Sequence, residues 1–372
     1  MSEDVVSGES PVCDNPDQLG RESGPSGFAD VDREHEDILE TFRWHWVLYN
    51  MFSFWTVVMT AGVLWIGYGI LSTFGLDLFG MAVDVISKSG RHPLVLTVAG
   101  LAVAMVLGSL FLAISFILEN GNFRLARVQD GGPPHLRTQR GLLSTREVNR
   151  DETRMRGISI DEPLMFRWMG MADTHVLTTG LSLDSFTEAT ALVPRGPISV
   201  ARRVAREVVG DAIDASLRLA RHPRAALLRR LNWATLIVIG VIASLLVPVI
   251  SGVLPLWTIW AAVALWPVTL IGAVIAYRAL GYRVYGDYVI ARSGLASRST
   301  AVLRRDSIST VAVRQSLLQR WLGLSTVSFM TAAGWGEYDV EDIDAAEAFT
   351  LADEAAPGVM TPFLERSNAA RT

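Results

Sequence analysis

The chain has 372 residues, 50% of them hydrophobic and only 19% charged, with a mean hydropathy of +0.31 and a formal net charge of −5. Ordinary soluble domains carry about 25% charge, so the composition excludes a soluble enzyme, a secreted disulfide scaffold and a simple nucleic-acid binder. The one cysteine, Cys13, has no partner for an internal disulfide and stands in a polar tail, away from any metal-ligand cluster.

Residues 1–45 hold 12 acidic residues against three Arg, with Gly, Ser and Pro and little that is apolar. Such a segment cannot bury enough surface to offset its ordering entropy, so residues 1–40 are read as a disordered acidic tail. Asp37–Phe42 is read as the start of a helix that runs into the membrane.

The membrane segments follow. Residues 46–76, 93–118 and 231–277 contain no Asp, Glu, Lys or Arg, and a helix of roughly 20 apolar residues is enough to cross a bilayer. The third run is broken by Pro248, Gly252 and Pro255, which interrupt helix hydrogen bonding and mark a turn. Four spans result, about 46–76, 93–118, 231–250 and 255–277, arranged as transmembrane hairpins over 44–118 and 221–279. Trp44, Trp46, Trp257 and Trp260 suit interfacial positions. Residues 119–230 hold 18 Arg and the region after Ala276 holds 10, whereas the 77–92 loop has only Lys88 and Arg91 and the 251–256 turn has none. The asymmetry predicts a multi-pass protein of the plasma (inner) membrane, with the N-terminus and both basic regions cytoplasmic.

An internal repeat organises those basic regions. A shift of 153 residues lays Gly141-Leu142 on Gly294-Leu295, Arg167-Trp168 on Arg320-Trp321, Gly170 on Gly323 and Thr178 on Thr331. Each copy follows a hairpin, giving cytoplasmic modules over 119–220 and 280–356 and a terminal tail over 357–372. In the second module, Tyr282–Ile290, Ser297–Leu303, Ile308–Arg314 and Ser325–Thr331 read as strands. Leu317, Leu318, Trp321 and Leu322 have helical spacing, Tyr338–Ile343 reads as a late strand, and Asp344–Ala355 as a closing helix. Many short strands with one terminal helix predict a small β-barrel with a helical cap. The fold class is therefore an α+β membrane protein.

The run Arg305-Asp306-Ser307-Ile308, then Arg314-Gln315-Ser316-Leu317-Leu318-Gln319-Arg320-Trp321-Leu322-Gly323-Leu324, then Val327 to Gly334, closely resembles the bacterial pleckstrin-homology-like, membrane-flanked domain family (YdbS/YdbT-like). The resemblance is strong over 280–350 and weaker over 120–215, where Asp161-Glu162-Pro163 departs from the Arg-Gln-Ser version. It implies pleckstrin-homology (PH) barrels capped by C-terminal helices and flanked by membrane hairpins. It implies no catalytic residue, no cofactor and no established ligand, with Gly294, Arg320, Trp321 and Gly323 as structural signature residues.

Candidate chemistry is sparse. The six histidines are scattered, without a metal-ligand spacing, and no nucleophile elbow, P-loop or dinucleotide fingerprint is present. Arg150-Asp151-Glu152 and Asp161-Glu162 read as exposed loops. No ionisable residue lies within the four spans, which weighs against active transport. Gly100, Ala104 and Gly108 form a small-residue seam for packing against the other hairpin or another subunit. In the basic segment 195–230, Arg202, Arg203 and Arg206 are candidate contacts for anionic lipid headgroups, against a plain reading in which that helix caps its barrel. Trp321 is expected in the barrel core with Arg320 outside it. The sequence predicts a non-catalytic envelope scaffold or sensor whose tandem modules bind protein partners or the inner membrane surface. The alternative is a lipid or small-molecule carrier that uses the four spans.

Overall fold

A computed structural model describes residues 35–51, 54–75, 77–88, 93–129, 132–179 and 190–359. The acidic tail up to residue 34 and the terminal tail from residue 360 lie outside the described residues.

The chain enters on a strand, β1 (His35–Thr41), which pairs antiparallel with β2 (Arg124–Gln129). This corrects the expected disorder up to residue 40 and the expected helix start at Asp37–Phe42. Leu39 and Phe42 pack on the hydrophobic core, while the buried Glu40 carboxylate is held by Arg43 and Arg203. A short helix α1 (His45–Met51) follows, in which Trp46 is fully buried beside Phe42 and Phe123. Trp46 is thus a core residue rather than an interfacial one. An uncharged run has the same composition whether it meets lipid or a protein core, so the first apolar helix starts later, at α2 (Phe54–Thr73).

The expected loop between the first two spans holds a helix, α3 (Leu78–Lys88), whose first turn is closed by Gly80 N–H donating to the Asp77 carboxylate. The long helix α4 (Pro93–Asn120) packs on α2. The two helices approach closely at Gly108, where any Cβ would run into the Thr60 side chain.

A first module is completed by β3 (His135–Arg140), β4 (Arg146–Asp151), β5 (Met155–Pro163), α5 (Leu164–Trp168), β6 (Met171–Thr178), β7 (Ala191–Pro197), α6 (Ile198–Val209) and α7 (Ala212–Ala215). Helices α8 (Arg224–Ile250) and α9 (Trp257–Ala279) form the second hairpin, and Pro248 is carried within α8. The second module comprises β8 (Gly281–Tyr285), β9 (Tyr288–Ser293), β10 (Ser297–Arg304), β11 (Thr310–Arg314), α10 (Leu317–Leu322), β12 (Leu324–Met330), β13 (Glu337–Asp344) and α11 (Ala345–Ala355). Helices α4, α8 and α9 are long and apolar enough to cross a membrane.

The strands form three sheets with the orders β1-β2-β3-β4, β7-β6-β5-β10-β9-β8 and β11-β12-β13, none of them closed into a barrel. The six-stranded sheet runs through both modules, because β5 and β10 pair from Gly157–Leu303 to Pro163–Ser297. Glu162 is buried in this join and bonded to Arg298, and Arg150 is buried in β4 with its guanidinium donating to the Ala191 carbonyl. Neither belongs to the exposed loops that the sequence suggested. Two hydrophobic cores lie behind the sheets, one around Leu125, Leu136 and Ile158 under α6, the other around Val327, Phe329 and Ile343 under α11.

Corresponding elements recur at the spacing seen in the sequence. The 3-10 turns Glu152–Arg154 and Arg305–Ser307, the helices α5 and α10, and the strands β6 and β12 each begin 153 residues apart. Gly141 and Gly294 have φ of 108° and 113°, and a Cβ at either would collide with the carbonyl oxygen of Ser144 or Ser297. Glycine is required there by both conformation and space.

Candidate functional site

The side of the modules that meets the apolar helices is assembled from four short elements. The β3–β4 turn is tied to the end of α4, since Gly141 N–H donates to the Gly121 carbonyl and Leu142 N–H to that of Leu118. The β9–β10 turn rests on α9, where Leu295 lies close over Gly272. Leu164 N–H donates to the Ala296 carbonyl, so α5 sets out from that same turn. Helix α10 packs on α8, with Leu322 and Leu324 against Ala225, Ala226, Tyr277 and Leu280.

These elements present large apolar side chains outward. Leu143, Trp168, Leu317 and Trp321 are 82%, 75%, 80% and 85% exposed. Trp321 therefore does not fill the core, contrary to expectation. Helix α10 has six residues, and its orientation is set by polar anchoring instead of hydrophobic periodicity. Ser316 closes a capping box with Gln319, and Gly323 ends the helix at φ 67° in the left-handed conformation. The inward residue is Gln319, whose Nε2 donates to Thr326 Oγ1 and Asp342 Oδ1, both at 2.9 Å. Gly294 and Gly323 are accounted for by backbone shape, whereas Arg320 and Trp321 lie on the surface.

Asp342 anchors the helix–module junction. Its carboxylate is fully buried on a left-handed backbone of φ 59°. It accepts from Arg229, from Arg230 at 2.7 Å and from Gln319, while Arg230 also reaches Glu341 at 2.8 Å. A buried carboxylate needs such compensation. The two arginines stand immediately before Leu231, where the uncharged part of α8 begins. Sequence reasoning treated them as topology markers; the adjacent acids Glu341 and Asp342 in a late strand were the available signal for a second role.

The arginines singled out for lipid contact are placed differently from one another. The guanidinium of Arg203 is held by Glu40, and that of Arg206 is bidentate on Asp214 at 2.6 and 3.1 Å. That pairing raises the Arg206 pKa and lowers that of Asp214. Arg202 is half-buried and, among the described residues, forms no ion pair, though it acts on the Asp214 carboxylate electrostatically. In the small-residue seam, Ala104 and Gly108 are buried and Gly108 faces α2, whereas Gly100 has open space beside it. Among the described residues no group of His, Cys, Asp and Glu is arranged to hold a metal ion.

The polar anchoring of α10, the strand-rich module and the closing helix α11 agree with comparison to known families, in which the model described as "Bacterial PH domain" matches residues 226–358. A bacterial PH-like domain occupies this region. The match takes in most of α8 and all of α9 as well as the second module, so the PH-like unit includes the hairpin that precedes its strands. PH-like domains are generally non-catalytic. No curated protein and no solved structure matches the chain.

Proposed function

We propose that this is a multi-pass inner-membrane protein of the YdbS/YdbT-like kind, whose two PH-like modules form one rigid platform on the cytoplasmic leaflet and act as a non-catalytic scaffold or sensor. Sheet pairing supports the span count. Strand β1 precedes α2 and pairs with β2, which follows α4, so the chain between them must return to the side it left. If α4 crosses the bilayer, α2 crosses it too. The β5–β10 pairing places the same requirement on α8 and α9. Four spans follow, and the excess of arginine on the module side orients them.

The observation that carries the platform reading is the apolar rim at the helix ends. Tryptophan favours the bilayer interface, where its apolar body and polar N–H are both satisfied. Trp168 and Trp321 occupy corresponding positions of the two modules at that level, accompanied by Leu143 and Leu317. Active transport usually relies on ionisable residues within the spans, and the uncharged runs contain no Asp, Glu, Lys or Arg.

The test is depth measurement in proteoliposomes. Cysteines placed singly at positions 168 and 321 and labelled with an environment-sensitive fluorophore are expected to be quenched by brominated lipid. A label at Thr350, on the exposed face of α11, is expected to stay unquenched. Equal quenching at all three positions, or none at 168 and 321, would remove the platform.

A further inference from the structure

We propose that the cavity beneath the linker joining the two modules, where Arg218, Arg221, Arg278 and Arg292 surround His222, binds a phosphate-bearing anion such as the headgroup of an acidic phospholipid. The proposal rests on the platform reading and assigns it a ligand class. The linker runs along the free edge of β8, with Ala220 N–H donating to the Tyr282 carbonyl and Arg283 donating to that of Arg218. Gly281 permits this, because a Cβ there would strike Leu219. Between the linker, the end of α9 and β9 lies a cavity of about 680 Å³, within the range of small-ligand sites.

Its lining has four arginines and no acidic side chain. Among the described residues, Arg218, Arg221 and Arg278 form no ion pair, and Arg292 donates to the Ala279 carbonyl with Glu162 acting on it electrostatically. Arginines near a span end are expected from topology alone, so they do not make a site by themselves. The independent observation is His222. It lines the cavity, is only 6% exposed, and neither ring nitrogen has a hydrogen-bond partner at ordinary distance and angle, although the Glu341 backbone and the Asp342 carboxylate of β13 act on the ring. Buried polar groups are normally satisfied, and an oxyanion in the cavity would supply the missing partner to a ring N–H. Guanidinium groups suit phosphate oxygens through paired, charge-assisted hydrogen bonds.

Depth favours a headgroup. The Tyr277 hydroxyl donates to the His222 carbonyl at 2.9 Å, which fixes the ring beside the end of α9. Leu231, where the uncharged part of α8 begins, is eight helical residues further on from Pro223, about 12 Å along the axis. The cavity therefore stands at the level of headgroups and above that of acyl chains.

The experiment uses the full-length protein in detergent, with bound lipid read by native mass spectrometry and thermal shift. Phosphatidylglycerol, phosphatidylcholine and inorganic phosphate are titrated in separate arms against wild type, Arg221→Gln, Arg278→Gln and the double variant. Both arginines are exposed, so the variants fold; Arg156→Gln serves as a control outside the cavity. The expected result is preferential binding of phosphatidylglycerol, weakened about five-fold per arginine removed and unchanged in Arg156→Gln. Phosphate binding with the same arginine dependence, without any lipid preference, would assign the site to a free anion instead. Equal binding of all ligands by wild type and double variant would overturn the site. Rim cysteines that remain quenched in that event would leave the platform standing, so the two failures are distinguishable.

Discussion

His222 shows how the fold sets the charge of one side chain. Burial is the largest influence on its imidazole and holds the pKa at about 4 instead of 6.5. Asp342 and the Glu341 backbone act in the opposite direction, Arg230 and Arg292 in the same one, and Tyr282 lies edge-on to the ring. A histidine with a depressed pKa stays neutral in the native state while the unfolded chain takes up a proton. The stabilisation is therefore whole above pH 6.5 and is lost as pH falls from 6.5 towards 4, by about 3 kcal/mol in all. Thermal unfolding of His222→Gln should decline less between pH 7.5 and 4.5 than that of wild type, and parallel profiles would refute the assignment. The sequence hides this role, since Arg221-His222-Pro223-Arg224 reads as a solvated basic linker. Two tryptophans exchange their expected places for similar reasons. Trp46 sits in an uncharged run yet fills a module core, and Trp321 sits on an apolar stripe yet faces outward, because composition and short-range spacing do not encode which surface is covered. Gly141 and Gly294, by contrast, were legible, since two copies of one turn impose one backbone requirement at a fixed spacing.

At the scale of elements, the departure of Asp161-Glu162-Pro163 from Arg314-Gln315-Ser316 has a structural meaning. Glu162 is buried in β5 and bonded to Arg298 of β10, while Ser159 and Ser299 are in hydrogen-bonding contact across the same join at 3.2 Å. The corresponding residues at the two outer edges are Thr145 on the approach to β4 and Gln315 just beyond β11, with Arg146 and Arg314 beside them. Adding a further strand pair in the same register would set Arg146 against Arg314. Charged edges of this kind discourage strand addition, so β4 and β11, the outer edges of the four-stranded and three-stranded sheets, are poor templates for a further strand. The strands and the closing helix of the second module could be read from pattern, but the pairing of β5 with β10 could not, because local pattern does not encode contacts such as Glu162–Arg298 between residues 136 apart. Removing one partner of a buried pair leaves the other uncompensated, so Glu162→Arg should cost about 3 kcal/mol. The double change Glu162→Arg with Arg298→Glu should recover much of that loss in chemical unfolding. A double variant no more stable than the single one would mean that the charge pair does not hold the join.

For the whole molecule, the sheets constrain the membrane topology more tightly than hydropathy does. Hydropathy identifies three long apolar helices, and α2 contributes a shorter continuous apolar stretch over Thr60–Thr73. Length and composition alone do not show that these helices cross a membrane. If α4 crosses the bilayer, the antiparallel pairing of β1 with β2 requires α2 to cross as well, since strands hydrogen-bonded to one another must share one side, and the pairing of β5 with β10 places the same requirement on α8 and α9. In the proposed topology the spans cross in pairs, with α3 on the far side. Labelling of single cysteines in a Cys13→Ser background tests this directly. Position 207 in the first module and position 350 in the second are exposed, as is Lys88 at the end of α3. A membrane-impermeant maleimide applied to intact cells should modify Lys88→Cys and spare Glu207→Cys and Thr350→Cys, and all three should react once the membrane is opened. Opposite accessibility of positions 207 and 350 would break the six-stranded sheet as a feature of the membrane-embedded protein. Protection of position 88 in intact cells together with labelling of both module positions would keep the sheet and reverse the orientation drawn from the arginines.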